Sequence, residues 1–199
     1  FGESVLGILD EKPELLLTIT GIGRSKLAEI VAAWKEHQGL RDVARFLAPH
    51  GFSLSLAGKV WREWGSASIL NIEADPYSMY HKFSGASFRL VDRLAVEVMK
   101  QPKDSFSRIK AAISESMSES YGAGHSCLPE KDLLARAQLL LGFKSPKFME
   151  CLEDMIKLSE LFRETPGEAT LIYTPSLRRA EIDIAAAISS LTFYRPLLG

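Results

Sequence analysis

Thr20-Gly21-Ile22-Gly23, followed at once by Arg24-Ser25-Lys26-Leu27-Ala28-Glu29-Ile30, constrains this chain more than any other stretch. Two glycines flank one apolar residue between segments of helical period, so the chain turns sharply there and restarts as a cationic, amphipathic helix. Glycine permits positive φ and lets a ligand approach the backbone closely. A helix start of this kind presents orphan N–H groups and the positive end of the helix dipole, which together suit an anion such as a phosphate. A tight helix-to-helix turn with no ligand is the competing reading.

Two other glycine motifs do not fit. A dinucleotide fingerprint needs G-x-G-x-x-G after a strand, but Lys26 stands where the third glycine belongs and Pro13-Glu14-Leu15-Leu16-Leu17 reads as helix. The nucleotide-hydrolysis loop G-x-x-x-x-G-K-[ST] is matched neither here nor at Gly142-Phe143-Lys144-Ser145. The chain is therefore expected to be non-catalytic, with no ATP hydrolysis and no cofactor of its own.

With 199 residues and 46% hydrophobic content the chain has room for one large domain or two small ones. No apolar run approaches the roughly 18 residues that span a bilayer, and no secretory leader opens the sequence, so no membrane segment is expected. Phe1 stands where a methionine would start a gene and both ends are apolar, which points to a piece of a longer protein. Cys127 and Cys151 are too few for a disulfide framework and fit a reducing cytoplasm. With His125 they make only three ligands at no recognised zinc spacing, so no metal site is expected.

The net charge of −1 hides an asymmetry: Arg24 to Lys110 carries 14 Lys and Arg against 9 Asp and Glu, Ala111 to Gly199 9 against 12. The first half is the better candidate to meet phosphate. His37, His50, His81 and His125 lack a Ser or Cys nucleophile at a recognisable spacing and read as structural. Trp34, Trp61 and Trp64 sit on apolar helical faces and read as packing residues.

Read for period, the first half is a series of short helices separated by glycine-bearing turns. Leu15, Leu16 and Ile19 lead into the first hairpin, and Leu27, Ile30, Val31 and Trp34 follow it, making one helix-hairpin-helix unit. Leu40, Val43, Ala44 and Leu47 predict a further helix broken at Pro49-His50-Gly51, after which Leu56, Val60, Trp61 and Trp64 resume the period as a second, less regular unit. A third unit runs from Ser66 past Asp75-Pro76-Tyr77 to a turn at Ser84-Gly85-Ala86-Ser87, where Ser87 replaces a glycine. Three such pairs predict stacked repeats over residues 1–101.

Gln101-Pro102-Lys103-Asp104-Ser105 reads as a joint. Beyond it, a helix through Ile109, Ile113, Met117 and Tyr121 is followed by a short strand at His125-Ser126-Cys127-Leu128 and a helix opened by Pro129. Another helix follows Pro146, then strands at Leu158 to Phe162 and Ala169 to Tyr173 across a Pro166-Gly167 turn. That order predicts a winged-helix-like domain over 104–175, then a helix over 176–199. The helix after Pro146 carries Glu150, Glu153 and Asp154 against Lys147 and Lys157, which repels phosphate and favours a structural or protein-docking role for this domain. The expected fold is mostly α: a tandem helix-hairpin-helix domain and a winged-helix-like domain with a small β-hairpin.

Ile19-Thr20-Gly21-Ile22-Gly23, Leu47-Ala48-Pro49-His50-Gly51, Asp75-Pro76-Tyr77, Gly85 to Ala95, Gly124-His125-Ser126-Cys127-Leu128-Pro129 and Tyr173 to Glu181 occur in this order along nearly the whole chain. In these elements the sequence resembles the N-terminal region of bacterial RecD-like superfamily 1 DNA helicases. The resemblance implies a cytoplasmic parent of DNA repair or recombination that moves 5′ to 3′ on DNA, with ATP and Mg²⁺ in motor domains C-terminal to this region. It implies an accessory role here, contacting single-stranded or junction DNA without regard to base sequence. Gly21, Ile22, Gly23 and Lys26 match the hairpin pattern, which with Arg24 implies DNA-backbone binding there, and Gly85 and Arg89 make a weaker second hairpin. The alternative is a structural or protein-interaction module that keeps the hairpin fold without binding DNA.

Overall fold

Apolar residues at three- and four-residue spacing, cut by glycine and proline, make the chain mostly helical with one small sheet. The computed structural model describes residues 8, 9 and 11–193, and the chain divides into two units between Leu94 and Ala95. In the first unit a 3-10 turn, Pro13–Thr18, leads to α1 (Arg24–Leu47), α2 (Leu54–Trp64), α3 (Ser68–Ala74), α4 (Tyr77–Lys82) and α5 (Phe88–Arg93). α5 passes directly into a π-helical turn, Leu94–Val98.

α1 corrects one expectation. The apolar sets Leu27 to Trp34 and Leu40 to Leu47 belong to a single helix of 24 residues, with Gly39 in its interior. The reason lies in α2: a Cβ on Gly39 would come within 1.9 Å of the Trp61 indole. Glycine costs about 1 kcal/mol relative to alanine inside a helix, but here it makes room for a ring laid against the backbone.

The first core is built from Val43 and Leu47 of α1, Leu56 and Val60 of α2, Ile72 of α3, Met79 of α4 and Val91 of α5, all buried. Each such side chain contributes about 1.5–3 kcal/mol. Asp75-Pro76-Tyr77 ends α3 as the sequence predicts: Asp75 Oδ1 accepts from the Tyr77 N–H at 3.1 Å, and the Tyr77 hydroxyl donates to Asp92 of α5 at 2.6 Å. The tryptophans pack within this unit, with Trp34 beneath the Arg41 guanidinium at 4.9 Å and Trp64 edge-on to Phe83 at 4.8 Å.

The second unit contains the Gln101–Ser105 stretch and runs α6 (Phe106–Gly122), β1 (Leu128–Pro129), α7 (Glu130–Leu141), α8 (Lys147–Lys157), β2 (Phe162–Glu164), β3 (Leu171–Tyr173) and α9 (Pro175–Phe193). Helix, short strand, helix, helix, hairpin is the predicted order. The strands form an antiparallel sheet in the order β1-β3-β2, with Leu128 and Arg163 both opposite Ile172. Ile109, Ile113 and Met117 of α6 are buried with Leu133 of α7, Phe148 and Leu152 of α8, and Ile172.

The strands start later than the sequence predicts. Leu158 to Leu161 close α8 instead: Ser159 takes a left-handed φ of 58°, and the Glu160 N–H donates to the Met155 carbonyl at 2.9 Å. Orphan carbonyls at the helix end claim these residues before the ladder can. Likewise His125 to Cys127 precede the strand, because the His125 N–H is bonded back to Ser120 of α6.

Arg163 holds this hairpin to the helices. Its Nε lies 2.7 Å from Glu130 Oε2 at the start of α7, and its Nη2 lies 2.7 Å from Glu153 Oε1 on α8. α9 covers part of the terminal helix expected over 176–199, of which 194–199 lie outside the described residues, as do 1–7 and 10 of the expected first domain. Among the described residues no helix is long and apolar enough to cross a membrane.

Candidate nucleic-acid interface

The first hairpin is a turn between the 3-10 segment and α1. Gly21 has φ 94°, the left-handed conformation that glycine alone enters without strain. Ile22 follows, half-buried, its N–H donating to the Ile19 carbonyl at 3.1 Å. Gly23 is the N-cap, extended at φ −88° and ψ 175°, and its carbonyl accepts from the Leu27 N–H at 2.9 Å. The positive-φ requirement therefore falls on Gly21 alone; Gly23 adopts a conformation open to any residue.

The same geometry recurs at the third turn. Gly85 has φ 103°, the Ala86 N–H donates to Phe83 at 3.1 Å, and Ser87 at φ −68° and ψ 147° accepts from Val91 at 3.1 Å. Ser87 stands where Gly23 stands in the first turn, in an extended conformation that needs no glycine, so the replacement leaves the turn's backbone intact. Ala86 is a buried apolar tip, as Ile22 is a half-buried one.

Sequence reasoning missed that Gly51-Phe52-Ser53 is a third copy. Gly51 has φ 88°, Phe52 is buried, and Ser53 is extended at φ −77° and ψ 153°, with the Ala57 N–H donating to its carbonyl at 3.1 Å. The signal was present as glycine, apolar residue, then a good N-cap, but a template asking for a second glycine passes over it.

The copies differ in what they do with the orphan donors of the following helix. Ser53 Oγ accepts from the Leu56 N–H at 3.2 Å and caps α2. α1 has no side-chain cap, no carboxylate in its first turn, and Arg24 and Lys26 there, both exposed. α5 is likewise without a side-chain cap and carries exposed Arg89 in its first turn. So Gly21, Ile22, Gly23, Arg24 and Lys26 come together on one turn, and Gly85 and Arg89 on another.

Two cations that sequence alone does not single out brace the turns. Arg93 Nη2 donates to the His50 carbonyl at 2.7 Å, beside Gly51. Lys59 Nζ donates to the Ser84 carbonyl at 2.9 Å and to its hydroxyl at 3.0 Å. Both pairs join residues far apart in sequence, so only the folded chain reveals them.

Repeated turns of positive-φ glycine, apolar tip and extended N-cap, each opening a helix, define a helix-hairpin-helix protein. Residues 36–127 match the family described as the ATP-dependent RecD2 DNA helicase HHH domain. The chain is also similar to an ATP-dependent RecD2 DNA helicase of Deinococcus radiodurans, at 26% identity over 211 aligned positions that take in all of this chain. It spans 29% of that relative's length. Together these similarities support an N-terminal helix-hairpin-helix region of a RecD-like helicase. The family match takes in the second and third turns and begins after the first.

Proposed function

We propose that this chain is the non-catalytic, DNA-contacting accessory region of an ATP-dependent 5′ to 3′ DNA helicase, a cytoplasmic enzyme of repair or recombination. ATP and Mg²⁺ belong to the parent's motor domains. The observation that carries the DNA reading is the uncapped start of α1 behind Gly21-Ile22-Gly23, with exposed Arg24 and Lys26 and no carboxylate in the first turn. Backbone N–H groups at that helix start hold phosphate oxygens while the two side chains supply charge. Gly85 and Arg89 repeat the arrangement on a shorter helix and add a weaker contact. Such contacts position the protein on single-stranded or junction DNA without reading bases. The second unit is assigned to protein contact, because α8 exposes Glu150 and Asp154 where a DNA-reading helix would carry cations.

Fluorescence anisotropy with labelled single-stranded, forked and duplex oligonucleotides at two salt concentrations tests the DNA reading. Binding is expected to be indifferent to sequence and weakened by salt, and Lys26→Ala to lower the salt slope by about one contact. Unchanged binding by a folded Arg24→Ala, Lys26→Ala double variant would instead leave the hairpins as a structural or protein-interaction scaffold.

A further inference from the structure

The second unit carries an apolar pocket at the C-terminal end of α7. Gly142, at φ 76°, ends the helix in the left-handed conformation, its N–H bonded to the Gln138 carbonyl at 2.9 Å. That turn sets Phe143 beside the helix, its ring 5.3 Å from Phe148, which is wholly buried in α8. The resulting cavity, about 460 Å³, is lined by Ala135, Gln138, Leu139, Gly142, Phe143 and Lys144. Its size lies within the range of ligand pockets. Leu139 stands 83% exposed at its edge, and neighbouring Leu140 is exposed as well.

The charge around this pocket runs against that of the rest of the second half of the chain. Lys131 lies one turn before Ala135 on the same helical face, Arg136 stands three residues from Leu139 and four from Leu140, and Lys144 lines the cavity. All three are exposed and form no ion pair among the described residues. Asp132 is the one α7 carboxylate near them, since Glu130 is held by Arg163. An apolar hollow with a cationic rim complements an apolar side chain flanked by carboxylates.

Resting on the protein-contact reading of the second unit, we infer that this pocket docks a short acidic segment of another protein through one large apolar side chain. The anchor fills the space between Leu139 and Phe143, and flanking Asp or Glu residues meet Arg136 and Lys144. Nucleic acid is the poorer fit, because Phe143 is the lone aromatic of the lining and packs against buried Phe148, so no run of rings is offered for successive bases to stack on.

The test is to pan a display library of random twelve-residue peptides on the full chain, then measure enriched peptides, synthesised with fluorescein, by anisotropy. Enriched sequences are expected to carry Leu, Phe, Met or Trp flanked by Asp or Glu, and their binding to weaken at least about tenfold in Leu139→Ser and in Lys144→Glu. Both positions are exposed, so the variants should fold; circular dichroism checks this. Enriched peptides that bind both variants as well as the wild type overturn the pocket assignment and leave the protein-contact reading standing. No enrichment at all overturns both. Displacement of the peptide by an oligonucleotide, or a dimer of the chain that Leu139→Ser dissolves, assigns the patch to another occupant and overturns the proposal.

Discussion

Gly39→Ala is the most informative single substitution in the first unit, because two effects of known size oppose each other there. In an open helix interior alanine gains about 1 kcal/mol over glycine. At this position the new methyl would lie 1.9, 2.3 and 2.4 Å from three carbons of the Trp61 indole. Ordinary carbon contacts are about 3.5–4.0 Å, so the ring must move by more than an ångström. Overpacking of this kind costs about 1–3 kcal/mol, and the displaced ring also loses its contact with α1. The expected net effect is a loss of about 1–2 kcal/mol in place of a gain. Removing the ring reverses the sign: in a Trp61→Ala background, Gly39→Ala should stabilise by about 1 kcal/mol, giving a coupling of roughly 2–3 kcal/mol in the double-mutant cycle. Urea unfolding followed by tryptophan fluorescence measures this in the right place, because all three tryptophans belong to the first unit and two remain after Trp61 is removed. A Gly39→Ala variant more stable than wild type, or additive effects in the cycle, would show that Trp61 does not occupy the space glycine leaves.

The same fluorescence readout should rank two hairpin glycines: Gly21→Ala is expected to cost about 1–2 kcal/mol for its positive φ, while Gly23→Ser, extended and with open space around it, should cost nothing and gain a few tenths of a kcal/mol as an N-cap. The reverse order would refute the assignment of the left-handed position. In the second unit, the hydrogen bond from Arg163 holds the Glu153 carboxyl below its ordinary value. Stability from that pair is complete above the ordinary glutamate value of about 4.3 and is lost as pH falls through the lowered folded value. With Glu153 41% exposed, solvent screening limits the pair to about 1 kcal/mol. Arg163→Gln should therefore show a stability gap to wild type at pH 7 that shrinks at pH 3 by circular dichroism, and an equal gap at both would remove the linkage. Burial pushes the Cys151 thiol up to about 12, so Ellman's reagent at pH 8 should modify half-buried Cys127 first and Cys151 only on unfolding. Equal rates for the two thiols would contradict that burial.

What the sequence disclosed was whatever is local. Gly21 and Gly85 announce turns because no other residue enters left-handed φ cheaply, and Asp75-Pro76-Tyr77 ends a helix through contacts two or three residues away. The order of helices and strands in the second unit was legible from period and punctuation. What it concealed depends on partners distant along the chain. The two apolar sets on either side of Gly39 read as separate helices, and only Trp61, lying on that glycine, shows why it sits inside one. Lys59 and Ser84, or His50 and Arg93, are joined across dozens of residues, and nothing in their local sequence marks them. Gly51-Phe52-Ser53 was hidden for a different reason: the pattern sought residue identity, whereas the turn requires a backbone conformation that serine meets as well as glycine.

The third position of these turns consequently works as a setting that can change without disturbing the fold. With glycine there, as before α1, the helix start keeps its donors turned outward; with a serine placed like Ser53, one hydroxyl answers a donor from within the chain. A single-residue exchange at that position changes how many helix-start donors the chain answers for itself, while the backbone of the turn stays the same.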